Sequence, residues 1–372
     1  MKHIIANGWF WLVALIGCIE PYDFNVENEL PILVIESYLS NVSFDESLDF
    51  PSDGRYFYVN LHYSSDVKTV RDKGVDGAKV TLLDNEGNLL KFEGTGMGHY
   101  LLYNESFKAE SDKEYQLKVV VDNETTYVSS WEKMAVKNTH TVGDITFKEV
   151  ERPTIKHVGE EEVIRLVKGI EVFTNLPTNG MNEQVYYKWQ FEPTWIYVAP
   201  LAPSTQIDKV CWATNLNYMS GYSLQQDETG GYKKDLFYME IEQNERVYEQ
   251  FSMLIKQQII SKDHFYFWNL MKEQAVVSGL FDNPPANLPT NFSCTTDESK
   301  SAIGYFGIIN ESAIRWYFSI KDLSYRYQNN LVELCRINYG PPAIGDPKPC
   351  EHCLDYTNGT AVLNKPNWWK SD

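Results

Sequence analysis

Tyr115-Gln116-Leu117-Lys118-Val119-Val120-Val121-Asp122-Asn123-Glu124-Thr125-Thr126-Tyr127-Val128 is the stretch that decides the fold class. Tyr115, Leu117, Val119 and Val121 alternate with Gln116, Lys118 and Asp122. A two-residue period is that of a pleated strand, which sends neighbouring side chains to opposite faces. Asp122-Asn123 then offers two residues that tolerate turn backbone, so the chain is expected to reverse and return as Thr125 to Val128.

The same reading extends in both directions. Phe57, Val59, Leu61 and Tyr63 alternate with Tyr58, Asn60, His62 and Ser64, and Ala78 to Leu83 reads as a strand ending at the turn Asp84-Asn85-Glu86-Gly87. Short strands at this spacing predict a β-sandwich over residues 28–135, immunoglobulin-like or transthyretin-like. An aromatic content of 14%, with 24 Tyr, 18 Phe and 10 Trp, also favours strands. From Thr139 the strand pattern resumes with longer loops, in Ile170 to Thr174 and in Val185 to Tyr197, which predicts a larger β-rich domain over 136–340. Gln250 to Ile260 alternates as a strand. Ser261 then reads as an N-cap, and His264, Trp268, Met271 and Ala275 recur at helical spacing before Gly279. One prominent helix near 262–278 is therefore expected, packed on a sheet by Trp268 and Met271. Residues 341–372 read as a cysteine-containing tail. The fold class is mainly β.

At the other end, Lys2 precedes a largely apolar run from Ile4 to Leu15, and Leu15-Ile16-Gly17-Cys18 has the form of a bacterial lipoprotein cleavage site. The run is shorter than the ~20 residues a membrane helix needs. Residues 1–17 are thus read as a signal peptide, Cys18 as the lipidated first residue and 18–27 as a tether. Several acyl chains on one thiol hold firmly, since each buried CH₂ contributes about 0.8 kcal/mol. The chain has 33 basic and 51 acidic residues, and losing Lys2 with the leader takes the net charge from −18 to −19. Such a surface repels polyanions, which argues against nucleic acid and against a polybasic membrane face.

Resemblance adds a family. The segments Phe251 to Gly279, Leu280-Phe281-Asp282-Asn283-Pro284-Pro285-Ala286-Asn287-Leu288-Pro289-Thr290-Asn291 and Ile303-Gly304-Tyr305-Phe306 resemble a family of Bacteroidota outer-membrane lipoproteins classed as a domain of unknown function. Cys350-Glu351-His352-Cys353, Gly359-Thr360 and Lys365-Pro366-Asn367-Trp368-Trp369 are similar to its ending, and Cys18-Ile19-Glu20-Pro21-Tyr22 to its mature start. Members are commonly encoded beside TonB-dependent receptors, so the resemblance implies a receptor-associated lipoprotein on the outer membrane, and the early acidic residues of Ile19-Glu20-Pro21-Tyr22-Asp23 resemble the surface-export signals of such lipoproteins, which implies that it faces the cell surface. The family resemblance implies no catalytic residues.

Beyond Cys18 the candidate disulfide cysteines are Cys211, Cys294, Cys335, Cys350 and Cys353, enough for two bridges and one thiol. Cys335 is expected to join Cys350 or Cys353 around the proline-rich stretch between them. Zinc on Cys335, Cys350, Cys353 and His352 is disfavoured because a single C-x-x-C lacks a second pair; no metal and no cofactor besides the lipid is expected. No nucleophile, zinc-protease or phosphate-loop motif occurs, and Gly94-Thr95-Gly96-Met97-Gly98 lacks the lysine and helix start of a phosphate cradle, so an enzyme is not expected. Trp189 and Trp316 read as core. Trp195, Tyr197, Trp368 and Trp369 are candidates for gripping a partner. Two functions are consistent with these readings: an accessory subunit docked on an outer-membrane β-barrel complex such as a TonB-dependent transporter, a barrel-assembly or a secretion machine, or a surface protein that captures a glycan, peptide or metal chelate for a transporter. An envelope hydrolase is the third.

Overall fold

A computed structural model of the chain describes residues 31–64, 73–136, 141–158, 161–178, 184–276, 288–338 and 347–370. The leader, Cys18 and the tether lie outside the described residues, as does Gly279. The main elements are β1 (Leu33–Ser40), α1 (Phe44–Ser47), β2 (Phe57–Tyr63), β3 (Val185–Val198), β4 (Phe251–Ile260), α2 (Lys262–Val276), β5 (Phe306–Phe318) and α3 (Leu331–Asn338).

These strands are the middle of one long sheet. From edge to edge it runs Thr360–Val362, Val210–Thr214, β3, β4, β5, β1, β2, His99–Leu102 and Glu93–Gly96, with three short strands alongside. Two smaller sheets pack against it. One has the order Phe292–Cys294, Thr125–Ser129, Tyr115–Val121, Lys79–Asp84, Leu89–Lys91; the other has the order Ile145–Val158, Glu161–Asn175, Lys233–Glu240. The first encloses a core of Ile35, Val59, Leu61, Val80, Leu82, Leu117, Val119, Phe306 and Ile308. The second encloses Ile170, Val172, Tyr187, Trp189, Phe191, Trp195, Met253, Ile255 and Phe318, with Trp316 packed against it.

The predicted hairpin forms as read: Tyr115–Val121 pairs antiparallel with Thr125–Ser129, and Asp122 and Asn123 both take positive φ, 53° and 59°, the pair of left-handed residues that a tight turn between twisted strands requires. Gly94 to Gly98 is likewise a hairpin corner, with Met97 and Gly98 at positive φ. Ser261 caps α2, its hydroxyl accepting from the His264 amide at 3.2 Å.

The sandwich differs from its predicted limits of 28–135, because it takes strands from far downstream. Phe292–Cys294 closes one edge of its smaller sheet, and β1 pairs in parallel with the start of β5, Ser37 opposite Phe306 and Ser40 opposite Ile309. The remainder of β5 pairs antiparallel with β4, Asn310 opposite Ile259 and Phe318 opposite Phe251. One strand therefore serves both cores. Local alternation identifies strands but carries no signal for pairing across some 270 residues, so the boundary near 135 is a boundary in sequence only.

The expected tail is also part of the body. Thr360–Val362 extends the long sheet, and disulfides join Cys211 to Cys353 and Cys335 to Cys350, leaving Cys294 buried and reduced. The cysteines of the disfavoured zinc set are thus committed to bridges, and His352 pairs instead with Asp208 at 2.8 Å.

Candidate functional site

The two faces of the long sheet differ in chemistry. Odd-numbered residues of β3 and β4 face the aromatic core, so the even-numbered ones, Lys188, Gln190, Glu192, Lys256 and Gln258, all lie on the opposite face. Cross-strand register brings them together, with Lys188 opposite Gln258 and Gln190 opposite Lys256. Glu311 and Arg315 of β5, Glu36 and Tyr38 of β1, and Tyr58, Asn60 and His62 of β2 continue the same face. Helix α2 covers part of it, packing Phe265 and Trp268 on Tyr186, Ile260 and Ile309.

Most charges on this face are matched. Arg55 forms a two-pronged pair with Glu311 at 2.9 and 3.0 Å and donates to the Tyr38 hydroxyl at 2.8 Å. Lys256 is paired with Glu192. Arg315 donates to the Ser252 hydroxyl at 3.1 Å and stacks 3.5 Å from the centre of the Trp368 ring; burial pushes its pKa down to about 10.

Lys188 is the exception. Its side chain is buried, at 3% exposure, and its ammonium nitrogen stands 3.3 Å from the centre of the Trp268 ring and 5.4 Å from that of Tyr222. Among the described residues it has no hydrogen bond and no ion pair. Burial, reinforced by the neighbouring Lys256, holds its pKa well below the usual lysine range, with Glu311 and Glu36 opposing.

Beside it His264 is buried and stacks on Tyr305 at 4.8 Å, while its Nε2 accepts from the Trp268 indole at 2.8 Å. The proton of this imidazole therefore sits on Nδ1, which has no partner among the described residues. Burial and then Lys188 keep His264 neutral, with a pKa well below the ordinary 6.5.

Lys188 and His264 open on a cavity of about 390 Å³ between α2, β1, β3 and β4, a size suited to a small organic molecule. Its walls include Phe267, Trp268 and Met271 of α2, Tyr38 and Tyr58 from the sheet, and the turn Ile303-Gly304-Tyr305. Thr290 donates to the Gly304 carbonyl at 2.9 Å, and the Asn291 side-chain amide bonds both polar atoms of the Phe306 backbone at 2.8 and 3.0 Å. Gly304 adopts φ +131°, and a Cβ there would lie 2.0 Å from the Ile35 carbonyl oxygen. The described parts of the three internal segments through which the sequence resembles a lipoprotein family thus meet at this cavity.

The aromatic residues nominated for partner binding behave otherwise. Trp195, at 0% exposure, and Tyr197 are interior: both are odd-numbered residues of a central strand, and Trp195 meets Tyr356 and Tyr218 edge to face. Trp369 is buried too, donating to Gln250 at 2.7 Å. Trp368 is half-buried, donating to Asp53 at 2.8 Å. The Trp pair tucks back on the molecule, because Arg315, Asp53 and Gln250 offer it cation and hydrogen-bond partners. Lys188 escaped sequence reading because the polar half of an alternating strand is ordinarily its solvent face; only the register and α2 bury it.

Fold and cavity together define a mainly β protein in which a helix roofs a cavity on the polar side of a long sheet. Residues 19–315 match the family model DUF4249, a domain of unknown function, and the chain belongs to that family. No curated protein matches it. Among the described residues no helix is long and apolar enough to cross a membrane, and no group of three or more His, Cys, Asp or Glu is placed to hold a metal.

Proposed function

We propose that this chain is a non-enzymatic binding protein that captures a small organic ligand in the cavity under α2, held at an outer membrane by acyl chains on Cys18 and working beside a transporter. The single observation that carries this reading is the cavity itself, apolar on most of its wall and supplied with a few convergent polar groups. It supports the surface-capture function, the alternative to an accessory subunit among the sequence-based expectations, with contacts distinct from the aromatic residues nominated for that role. Met271→Trp, which fills the cavity from α2, tests it. Full-length protein purified from its native membranes is expected to release a small molecule on denaturation that mass spectrometry detects, and the variant is expected to release none. Equal yields from the two proteins, or none from either, would refute the assignment.

A specific feature favours a second role, as accessory subunit of a β-barrel complex. The paired strands Ile145–Val158 and Glu161–Asn175 carry Ile155, Ile164 and Leu166 with their side chains largely in solvent, Ile164 at 76% exposure, and Ile155 lies directly opposite Ile164. Apolar side chains so displayed suit insertion into a partner. Copurification of a barrel protein with the native chain, lost in an Ile164→Glu/Leu166→Glu variant, is the expected result; a barrel retained by that variant would place the contact elsewhere.

A further inference from the structure

Resting on the cavity assignment, we infer that the ligand is an organic monoanion, its acid group seated against Lys188 and its apolar body lying between Trp268, Phe267, Met271 and Tyr305. Each of the other two clustered carboxylates on this face already has a cation: Glu192 is held by Lys256 and Glu311 by Arg55. Glu36 is exposed at the cavity mouth and accepts from Asn60 at 3.4 Å. The ammonium of Lys188 is left with three donors and no anion, in contact with the cavity lining.

A buried cation without a counter-ion is destabilising, and a ligand carboxylate would supply both the charge and the hydrogen-bond acceptors it lacks. The Gln258 amide donates to Gln190 at 3.0 Å directly across the strands from Lys188; this leaves the Gln190 amide N–H groups for a second ligand oxygen. The aromatic and thioether groups of α2 provide a flat apolar bed for the remainder of the molecule. A neutral ligand would leave the ammonium unpaired, and a dianion would meet Glu36 at the mouth.

The test is calorimetry on the full-length chain in detergent with matched probes: 3-phenylpropionate, indole-3-propionate and octanoate, each against its neutral primary amide. At least one acid is expected to bind ten-fold or more tightly than its amide, and Lys188→Met and Lys188→Gln are each expected to abolish that preference. Acid and amide binding equally well to the wild type, or a preference that survives both substitutions, would overturn the anion inference while leaving the cavity assignment standing. Silence from all six probes would overturn both. Retained circular dichroism in both variants guards against misfolding, and the pair differs in polarity, so loss of the preference in both reports on charge.

Discussion

Replacing Lys188 with Met should make the protein more stable. Folding buries this amine without an ion-pair partner, and burial with Lys256 nearby favours its neutral form, against the pull of Glu311 and Glu36. Deprotonating a lysine of ordinary pKa about 10.5 at pH 7.4 spans three pH units, and at about 1.36 kcal/mol per unit the upper limit of the cost is about 4 kcal/mol. Contact of the charged form with the Trp268 ring, worth about 0.5–2 kcal/mol, lowers the cost of keeping the proton and so holds the total below that limit, and a methionine thioether keeps part of the packing on the ring. The variant is therefore expected to be about 1–3 kcal/mol more stable at pH 7.4 without ligand, read as a higher urea midpoint at unchanged slope. The sign with pH comes from the depressed pKa. Between the folded and unfolded pKa values the unfolded wild type binds more protons, so wild-type stability climbs with pH in that window while the variant gains nothing. The gap should close as pH approaches 10.5. A less stable variant, or a gap constant from pH 7 to 10, would refute the reasoning.

The same geometry sets four further outcomes. Glu311→Gln strips the half-buried Arg55 of its buried counter-ion and should cost about 3 kcal/mol, most of it recovered in Arg55→Met/Glu311→Leu, as measured by urea unfolding of the three proteins. His264 has a lowered pKa, so its contribution is fully present above about pH 6.5 and is lost as pH falls, by up to about 1.4 kcal/mol per unit; His264→Gln should flatten the dependence of the urea midpoint between pH 6.5 and 5. Opening the bridge Cys335–Cys350 with Ser should cost about 3 kcal/mol and Cys211–Cys353 about 5 kcal/mol, given loops of 15 and 142 residues; equal midpoints for the two variants would contradict the loop argument. Gly304→Ala should lower the melting temperature by several degrees and abolish probe binding, since its Cβ strikes the Ile35 carbonyl and shifts the cavity wall.

How far sequence reading reached depended on whether the relevant signal was local. Alternation placed the strands around Phe57, Tyr115 and Phe251, and Ser261 with the spacing of Trp268 and Met271 placed α2, since these are decided within a few residues. The pairing of Cys335 was narrowed to two partners by a short loop, and the structure selects Cys350. Trp195 and Tyr197 read as partner-binding candidates yet lie inside, because an aromatic strand looks the same at an edge and at a sheet centre; only the neighbours Val210–Thr214 and β4 decide it. The cavity was invisible for the same reason: Lys188 and Gln258 lie 70 positions apart in the chain and become neighbours through register alone.

The division of labour along β5 has a consequence for biogenesis. Because Phe306 to Ile309 complete the pairing of β1, an emerging polypeptide holding only its first 300 residues presents an open hydrophobic edge at Leu33–Ser40. Assembly must wait until nearly the entire chain has been made, and non-local closure of this kind is slow. Such a protein would depend on holding factors until its synthesis is complete, and a fragment ending near residue 135 would be a substrate for proteases before it was a domain.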